Sequence, residues 1–218
     1  NYADDLEVPD MLHGAFVWSG VPRARIKSMD FSEVEKAPGV VRVITHKDVP
    51  GHNGFGLLQQ DQPVFCYDEV RFIRDMIALV VAETEEQARY AASLAKIEYE
   101  ELPGVFDMHE AAEKGQILKQ LEHSFGDPDQ ASQDPDIIIV KGHFETPWQE
   151  HACLETESAL ATWDEETGLT ITATTQSVFE LRRNLVKVLS LPEENVIVRA
   201  TPLGGGFGSK ADLIFEPA

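Results

Sequence analysis

The sequence has few cysteines and no long apolar run. Among 218 residues there are two cysteines, Cys66 and Cys153, which lie far apart and form no Cys-x-x-Cys pair. This usage excludes a disulfide scaffold, a cysteine-rich zinc site and an iron–sulfur cluster held by this chain. It favours a reducing, cytoplasmic location. No stretch approaches the roughly 20 apolar residues that a membrane-spanning helix needs.

Basic residues are scarce relative to acidic ones. The chain has 18 Lys and Arg against 38 Asp and Glu, which gives a formal net charge of −20. A surface of this sign repels phosphate backbones and anionic lipid, so we expect neither a nucleic-acid partner nor a membrane partner. The hydrophobic fraction of 43% is that of an ordinary globular protein. A chain of 218 residues is also long enough to bury a real core.

Several catalytic motifs are absent. No Gly-x-Ser-x-Gly sequence surrounds a serine, so serine-hydrolase chemistry has no support. The glycine-rich run 204–208 also fails the nucleotide fingerprints. Ser209 stands where Gly-x-Gly-x-x-Gly requires its last glycine, and where a P-loop requires the glycine before Lys210. His143 and His151 lack the spacing of zinc ligands.

Residues 1–115 alternate between strand-like and helix-like segments. Capping-box spacings, Ser32 with Glu35 and Thr84 with Gln87, predict the start of two helices. We therefore predict an α+β domain with helices on a small sheet. Its β-branched or continuously apolar runs predict strands at 15–18, 24–29, 40–44, 70–73, 77–82 and 96–100.

Residues 116–136 are polar and turn-rich, which is typical of a linker, and a second unit is predicted over 137–218. Its predicted elements are a strand at Ile137–Val140 extended through 142–145, a hairpin turning at 164–168, a helix capped by Ser177 with Glu180, and a strand at 196–198.

The most informative local feature is the run Gly204-Gly205-Gly206-Phe207-Gly208 after that last strand. Successive glycines leave backbone N–H groups bare, able to approach an anion or a planar cofactor closely. Ser209 and Asp212 have capping spacing, so a helix could start there and aim its N-terminus at the same place. A tight strand-to-helix turn without a ligand explains the glycines equally well.

Two further groups of polar residues are candidates for a site. Gln176 ends a threonine-rich strand, where its amide could donate to a ligand oxygen. His151 lies among Glu150, Glu155 and Glu157, a set that could hold a metal or a base. Such residues more often satisfy buried backbone groups or one another.

Read together, six ordered segments resemble the molybdopterin-binding subunit of the xanthine dehydrogenase/aldehyde oxidase family of molybdenum hydroxylases. Three resemble its α/β hammerhead domain: YADDLEVPDMLHGAFVWSGVPRARIKSMD, APGVVRVITHKDVPG and ALVVAETEEQARYAASLAKIEYEELP. Three others resemble the first part of its molybdenum-cofactor-binding α+β domain: QEHACLETESALA, TATTQSV and VRATPLGGGFGSK.

The resemblance implies a molybdenum–pterin cofactor and the hydroxylation of a purine, another N-heterocycle or an aldehyde, with water as the oxygen source. It implies that Gln176 hydrogen-bonds a ligand of the metal, and that Gly206, Phe207 and Gly208 lie at the cofactor. It places the general-base glutamate beyond Ala218, and iron–sulfur clusters and FAD on other domains or subunits. The expected partners are the iron–sulfur and FAD domains or subunits, the remainder of the molybdopterin subunit and a small-molecule substrate.

The sequence departs from the family pattern at two places. Ala211 follows the glycine loop where many relatives have a glutamate, which puts purine specificity in doubt. Arg74-Asp75-Met76 replaces the usual Gly-Glu/Asp-Pro before the buried hammerhead strand.

The leading hypothesis is an amino-terminal piece of a molybdenum hydroxylase that is inactive alone. A natural split subunit completed by another chain is one alternative, and a non-catalytic interaction module on the same scaffold is another.

Overall fold

Continuous apolar and alternating runs fold into the first two sheets of the computed structural model, which describes residues 2–56 and 59–211. The first sheet has the order β1-β5-β3 and is antiparallel throughout, and the second has the order β4-β2-β6. The strands are β1 (His13–Trp18), β2 (Ala24–Asp30), β3 (Val40–Ile44), β4 (Glu69–Val70), β5 (Met76–Ala82) and β6 (Lys96–Glu101). Because β5 is central, its continuous apolar run is almost entirely buried, as the pattern predicts.

Two helices, α1 (Ser32–Glu35) and α2 (Glu85–Ala92), pack on these strands. The predicted cap of α2 is confirmed, since Thr84 Oγ1 accepts from Gln87 N at 3.2 Å. The predicted cap of α1 is wrong. Ser32 is the first helical residue, and the side chain of Asp30 accepts from its N–H at 2.9 Å instead.

The second half of the chain supplies a third sheet of order β7-β8-β9. The predicted hairpin is confirmed as β7 (Ala159–Asp164) paired antiparallel with β8 (Gly168–Ala173). A crossover through α5 (Val178–Leu189) and a short 3₁₀ turn brings β9 (Val196–Ala200) parallel to β8. Ser177 precedes α5 but makes no side-chain cap bond, so that predicted capping box is wrong; the Ser177 N–H is bonded to Thr175 Oγ1.

The third sheet shares a hydrophobic core with the first half of the chain. Apolar residues of β8 and α5, including Ile171 and Leu185, pack with Phe55, Val64 and Met76. The chain up to Pro103 and from His151 onward accordingly forms one compact unit. At its surface Gly51 N donates to Val188 O at 2.9 Å, satisfying a carbonyl at the C-terminal end of α5. A Cβ at Gly51 would lie 2.0 Å from Lys187 O, so only glycine permits this approach.

Residues 104–150 form a second compact unit. It contains the short helix α3 (Met108–Glu113), and a further turn of helix, α4 (Pro128–Ala131), lies in the segment predicted to be a linker. The strand predicted at Ile137–Val140 and 142–145 is wrong, because this segment is exposed and pairs with no other described strand. β-branched residues favour an extended backbone, but a strand also needs a partner. The division at 115 and 136 stays a prediction.

None of the helices in the described ranges combines the length and apolarity that crossing a membrane requires.

Asp75 shows how the unusual Arg74-Asp75-Met76 segment is accommodated. Its Oδ2 accepts from Arg71 N at 2.7 Å and from Phe72 N at 3.1 Å, although the residue is buried. The acid of this segment therefore holds the turn into β5. Arg74 lies over the Trp18 ring at 4.6 Å, and Met76 joins the core.

Replacing Asp75 with Ala is expected to lower the free energy of unfolding by about 2–3 kcal/mol, because two N–H groups in a buried turn lose a charged acceptor. Urea denaturation measures the change. Asp164→Ala is the matched control, since Asp164 also accepts two backbone N–H bonds but is exposed. An equal loss in both variants would contradict the assigned role of burial.

The buried thiol of Cys66 is expected to lower the free energy of unfolding at alkaline pH. Burial raises the pKa of its thiol to about 11, and the Asp75 charge adds to the effect. Since the thiol has a pKa near 9.0 without burial, the unfolded chain ionises first as the pH rises. The free energy of unfolding should therefore fall between about pH 9 and pH 11, and Cys66→Ala should flatten this fall.

Tyr99 is the control for that measurement. Burial raises its pKa from 10.0 to about 12, so Tyr99→Phe should flatten the decline only above about pH 10. An unchanged pH profile in Cys66→Ala would show that the thiol does not contribute.

Candidate functional site: the glycine-rich loop and Gln176

The site is positioned by the parallel pairing of β8 with β9. Ala173 and Ala200 are register partners at the ends of these strands, and Thr201 N donates to Ala173 O at 3.2 Å. Parallel neighbours end at the same edge of a sheet. The segment that leaves β8 and the segment that leaves β9 must therefore run beside each other. The first carries Gln176 and the second carries the glycine loop, defined here as 204–210.

Direct contacts join Gln176 to this loop. Gly208 N donates to Gln176 Oε1 at 3.2 Å, and Gln176 N donates to Lys210 O at 2.7 Å. A Cβ at Gly206 would lie 2.5 Å from Gln176 Oε1. Three of the four residues predicted for the site therefore meet in one place. The fourth, Phe207, stands at the tip of the loop with 80% of its surface exposed.

The loop backbone adopts conformations that favour glycine. The φ angles are +108° at Gly205, +52° at Phe207 and +101° at Gly208. Ser209 N and Oγ both donate to Gly206 O, at 2.9 and 2.8 Å, and close a turn. This turn continues to Ala211, where the described chain stops; Asp212, the other half of the predicted cap, lies outside the described residues.

Several donors on the loop have no acceptor in the described part of the chain. Within residues 2–56 and 59–211, the N–H groups of Gly205, Gly206 and Phe207 donate no hydrogen bond, and neither does Gln176 Nε2. The position of a Cβ at Gly208 has open space around it. The loop thus carries backbone and amide donors, and Gly208 leaves the space beside them free of a side chain. Such a set of donors suits an oxygen-rich or anionic group.

A buried ion pair supports the loop from beneath. Lys210 Nζ lies 2.8 Å from Glu155 Oε2, with 1% and 5% of the two side chains exposed. Glu155 Oε2 also accepts from Gly204 N at 2.7 Å. In the sequence, Glu155 stands out only as part of a polar cluster, and no pattern marks Lys210 as a site residue. The only sequence signals for this ion pair are a lysine in the glycine-loop motif, Lys210, and an acidic residue before the hairpin, Glu155.

The polar cluster around His151 brings no set of metal ligands together within residues 2–56 and 59–211. No group of three or more His, Cys, Asp or Glu side chains in the described part of the chain could hold a metal ion. Glu155 points inward to Gly204 and Lys210, as expected of a residue that satisfies buried backbone. Cys153 packs under the loop, with its Sγ 3.8 Å from Ser209 Oγ.

Two family models together cover nearly the whole chain. The aldehyde oxidase and xanthine dehydrogenase a/b hammerhead domain matches residues 1–103, and the molybdopterin cofactor-binding domain matches residues 108–218. The glycine loop and Gln176 fall in the second. The donor set fits a molybdenum–pterin group, which is rich in oxygen and nitrogen, since the described residues leave backbone N–H groups and the Gln176 amide nitrogen without acceptors and Gly208 adds no side chain beside them.

Individual relatives agree with this assignment. A probable xanthine dehydrogenase subunit of Bacillus subtilis (strain 168) is 40% identical over 99% of this chain and 30% of its own length. The nicotinate dehydrogenase large molybdopterin subunit of Eubacterium barkeri is 35% identical over 97% of this chain and 52% of its own. The aldehyde oxidoreductase structure from Desulfovibrio gigas superimposes with a TM-score of 0.83 at 30% identity, over 96% of this chain and 26% of its own.

The fold and the loop define an α/β hammerhead domain followed by molybdenum-cofactor-binding sequence. The chain belongs to the xanthine dehydrogenase/aldehyde oxidase family of molybdenum hydroxylases, as the sequence predicts. It spans about a third to a half of the length of the Bacillus subtilis and Eubacterium barkeri relatives.

Gly206→Ala is expected to destabilise the protein by about 1 kcal/mol, because the new methyl group would overlap the Gln176 amide and force this exposed side chain out of its present conformation. The same substitution in a Gln176→Ala background should cost clearly less, since the three atoms nearest to that methyl all belong to Gln176. Chemical denaturation of the four proteins gives the coupling directly. Additive effects would show that the two residues do not touch.

Proposed function

We propose that this chain forms one wall of the cofactor site in a molybdenum hydroxylase. The enzyme would hydroxylate a carbon next to nitrogen or oxygen in a purine, another N-heterocycle or an aldehyde, taking the oxygen from water. The observation that carries the proposal is the hydrogen bond from Gly208 N to Gln176 Oε1, which occupies the amide oxygen and leaves Nε2 without an acceptor among the described residues.

The chain's own residues would bind and orient the cofactor. When bound, the molybdenum–pterin group supplies the redox chemistry. Gln176 Nε2 would donate to an oxygen of the cofactor, while the N–H groups of Gly206 and Phe207 would offer further donors along the loop. Gly208, which lacks a side chain, leaves room for close approach. The exposed ring of Phe207 would cover the substrate side and exclude water there.

The substrate and the partners are part of the same proposal. Ala211 presents a methyl group where a carboxylate would recognise a polar purine, and its N–H donates to Gly208 O at 3.1 Å. This favours an aldehyde or a less polar heterocycle over a purine. Iron–sulfur and FAD domains or subunits would accept the electrons, and the general-base glutamate would come from the remainder of the molybdopterin subunit. The residues 1–218 alone would then turn over no substrate. We place the enzyme in the cytoplasm.

Gln176→Ala in the assembled enzyme is expected to lower kcat/KM by about 10²-fold, because one preorganised donor to the reacting centre is lost. Steady-state kinetics with an aldehyde and with a purine measure the effect, together with molybdenum per chain. Gln133→Ala, an exposed glutamine of the second compact unit, is the matched control. An enzyme without molybdenum, or with full activity after Gln176→Ala, would refute the proposed function.

A further inference from the structure

The Glu155–Lys210 pair connects both ends of the glycine loop to one carboxylate oxygen. Glu155 Oε2 accepts from Gly204 N at 2.7 Å and from Lys210 Nζ at 2.8 Å. Lys210 Nζ donates in addition to Glu155 O at 3.0 Å, and Glu155 N donates to Gly204 O at 3.3 Å. The first and last residues of the loop are therefore held at a defined separation by a single residue.

The same pair reaches Gln176 through the backbone. Lys210 O accepts from Gln176 N at 2.7 Å, and Gln176 Oε1 accepts from Gly208 N at 3.2 Å. A closed circuit of hydrogen bonds thus runs from Glu155 to Lys210, to Gln176, and back into the loop at Gly208. A shift of Lys210 would move both the Gln176 backbone and the loop that its side chain contacts.

Burial of this pair needs an explanation beyond stability. Taking two charges out of water costs so much that apolar side chains of similar volume often give equal or greater stability. Glu155 Oε1 is buried and has no hydrogen-bond partner within the described ranges, so the carboxylate is not even fully satisfied. An apolar pair would fill the space, but it would give Gly204 N and Lys210 Nζ no directional acceptor.

We infer that Glu155 and Lys210 are positioning residues, which hold the glycine loop and Gln176 in the conformation that receives the molybdenum–pterin cofactor. Among the described residues their hydrogen bonds go to Gly204, to Gln176 and to each other, not to the proposed cofactor donors Gly206 and Phe207, so they act through Gly204, Gln176 and, by way of Gln176, Gly208. The inference rests on the proposed function for the identity of the ligand. The coupling of the pair to the loop does not depend on it.

Three variants of the assembled enzyme separate positioning from stability. Lys210→Met leaves Glu155 buried without its counter-charge, and should lower the melting temperature as well as loosen the loop. Glu155→Gln/Lys210→Met removes both charges yet keeps an acceptor for Gly204 N, and should recover most of the melting temperature. Arg182→Met is the control, because Arg182 ties α5 to Val196 O at 2.8 Å and pairs with Glu193, away from the loop.

The first readout is hydrogen exchange in cofactor-free protein, followed by mass spectrometry of peptides that contain Gln176 and 204–210. In the double variant, exchange there should be roughly tenfold faster than in wild type, as expected from the loss of one hydrogen bond. Arg182→Met should leave these peptides unchanged. The second readout is the rate at which pterin and molybdenum leave the loaded enzyme, expected to rise about tenfold in the double variant only.

Each outcome decides one point. Wild-type exchange and wild-type cofactor release in the double variant, with melting restored, would show a purely structural pair and overturn the inference. Faster exchange without faster release would also overturn it, because the loop would then be coupled to the pair without serving the cofactor. A wild-type enzyme that contains no molybdenum or pterin would refute the proposed function, and the cofactor role of the pair with it. Faster exchange and faster release together would support it.

Discussion

The parallel pairing of β8 with β9 is the constraint on which the site depends. It makes the two strands end at one edge, so that Gln176 and Gly204 leave the sheet as neighbours although 28 positions separate them in the sequence. The crossover helix α5 makes the pairing possible, and its buried face packs with the hammerhead residues Phe55 and Met76. The core that joins the two halves therefore also orients the sheet edge that carries the loop.

Electrostatics acts at two scales in this chain. The net charge of −20 belongs to the surface as a whole and says little about one loop. At the loop the signs balance locally, since Lys210 and Glu155 neutralise each other below the backbone donors of Gly205 and Gly206. An acidic protein can thus present N–H groups to an oxygen-rich ligand, because those donors lie on backbone and not on exposed basic side chains.

Much of the fold follows from local patterns. The continuous apolar run of β5 predicts a buried strand, and the hairpin turn at 164–168 predicts the pairing of β7 with β8. Predictions fail where a partner decides the outcome. Ile137–Val140 has the composition of a strand, but in the described structure no neighbour supplies its hydrogen bonds. Ser32 and Ser177 have the spacing of caps, yet neither hydroxyl caps its helix. Their own N–H groups donate to the side chains of Asp30 and Thr175.

The sequence by itself determined where most of the strands lie along the chain, the glycine loop and the identity of the family, because turn chemistry, periodicity and motif spacing are local properties of the chain. It also pointed to Gln176, Gly206, Phe207 and Gly208 by resemblance. Only the tertiary structure decided that Gln176 hydrogen-bonds Gly208, and that Glu155 and Lys210 lie buried together beneath the loop. Those contacts join residues 32 and 55 positions apart, and such distances are set by strand pairing and packing of the core, which no local pattern encodes.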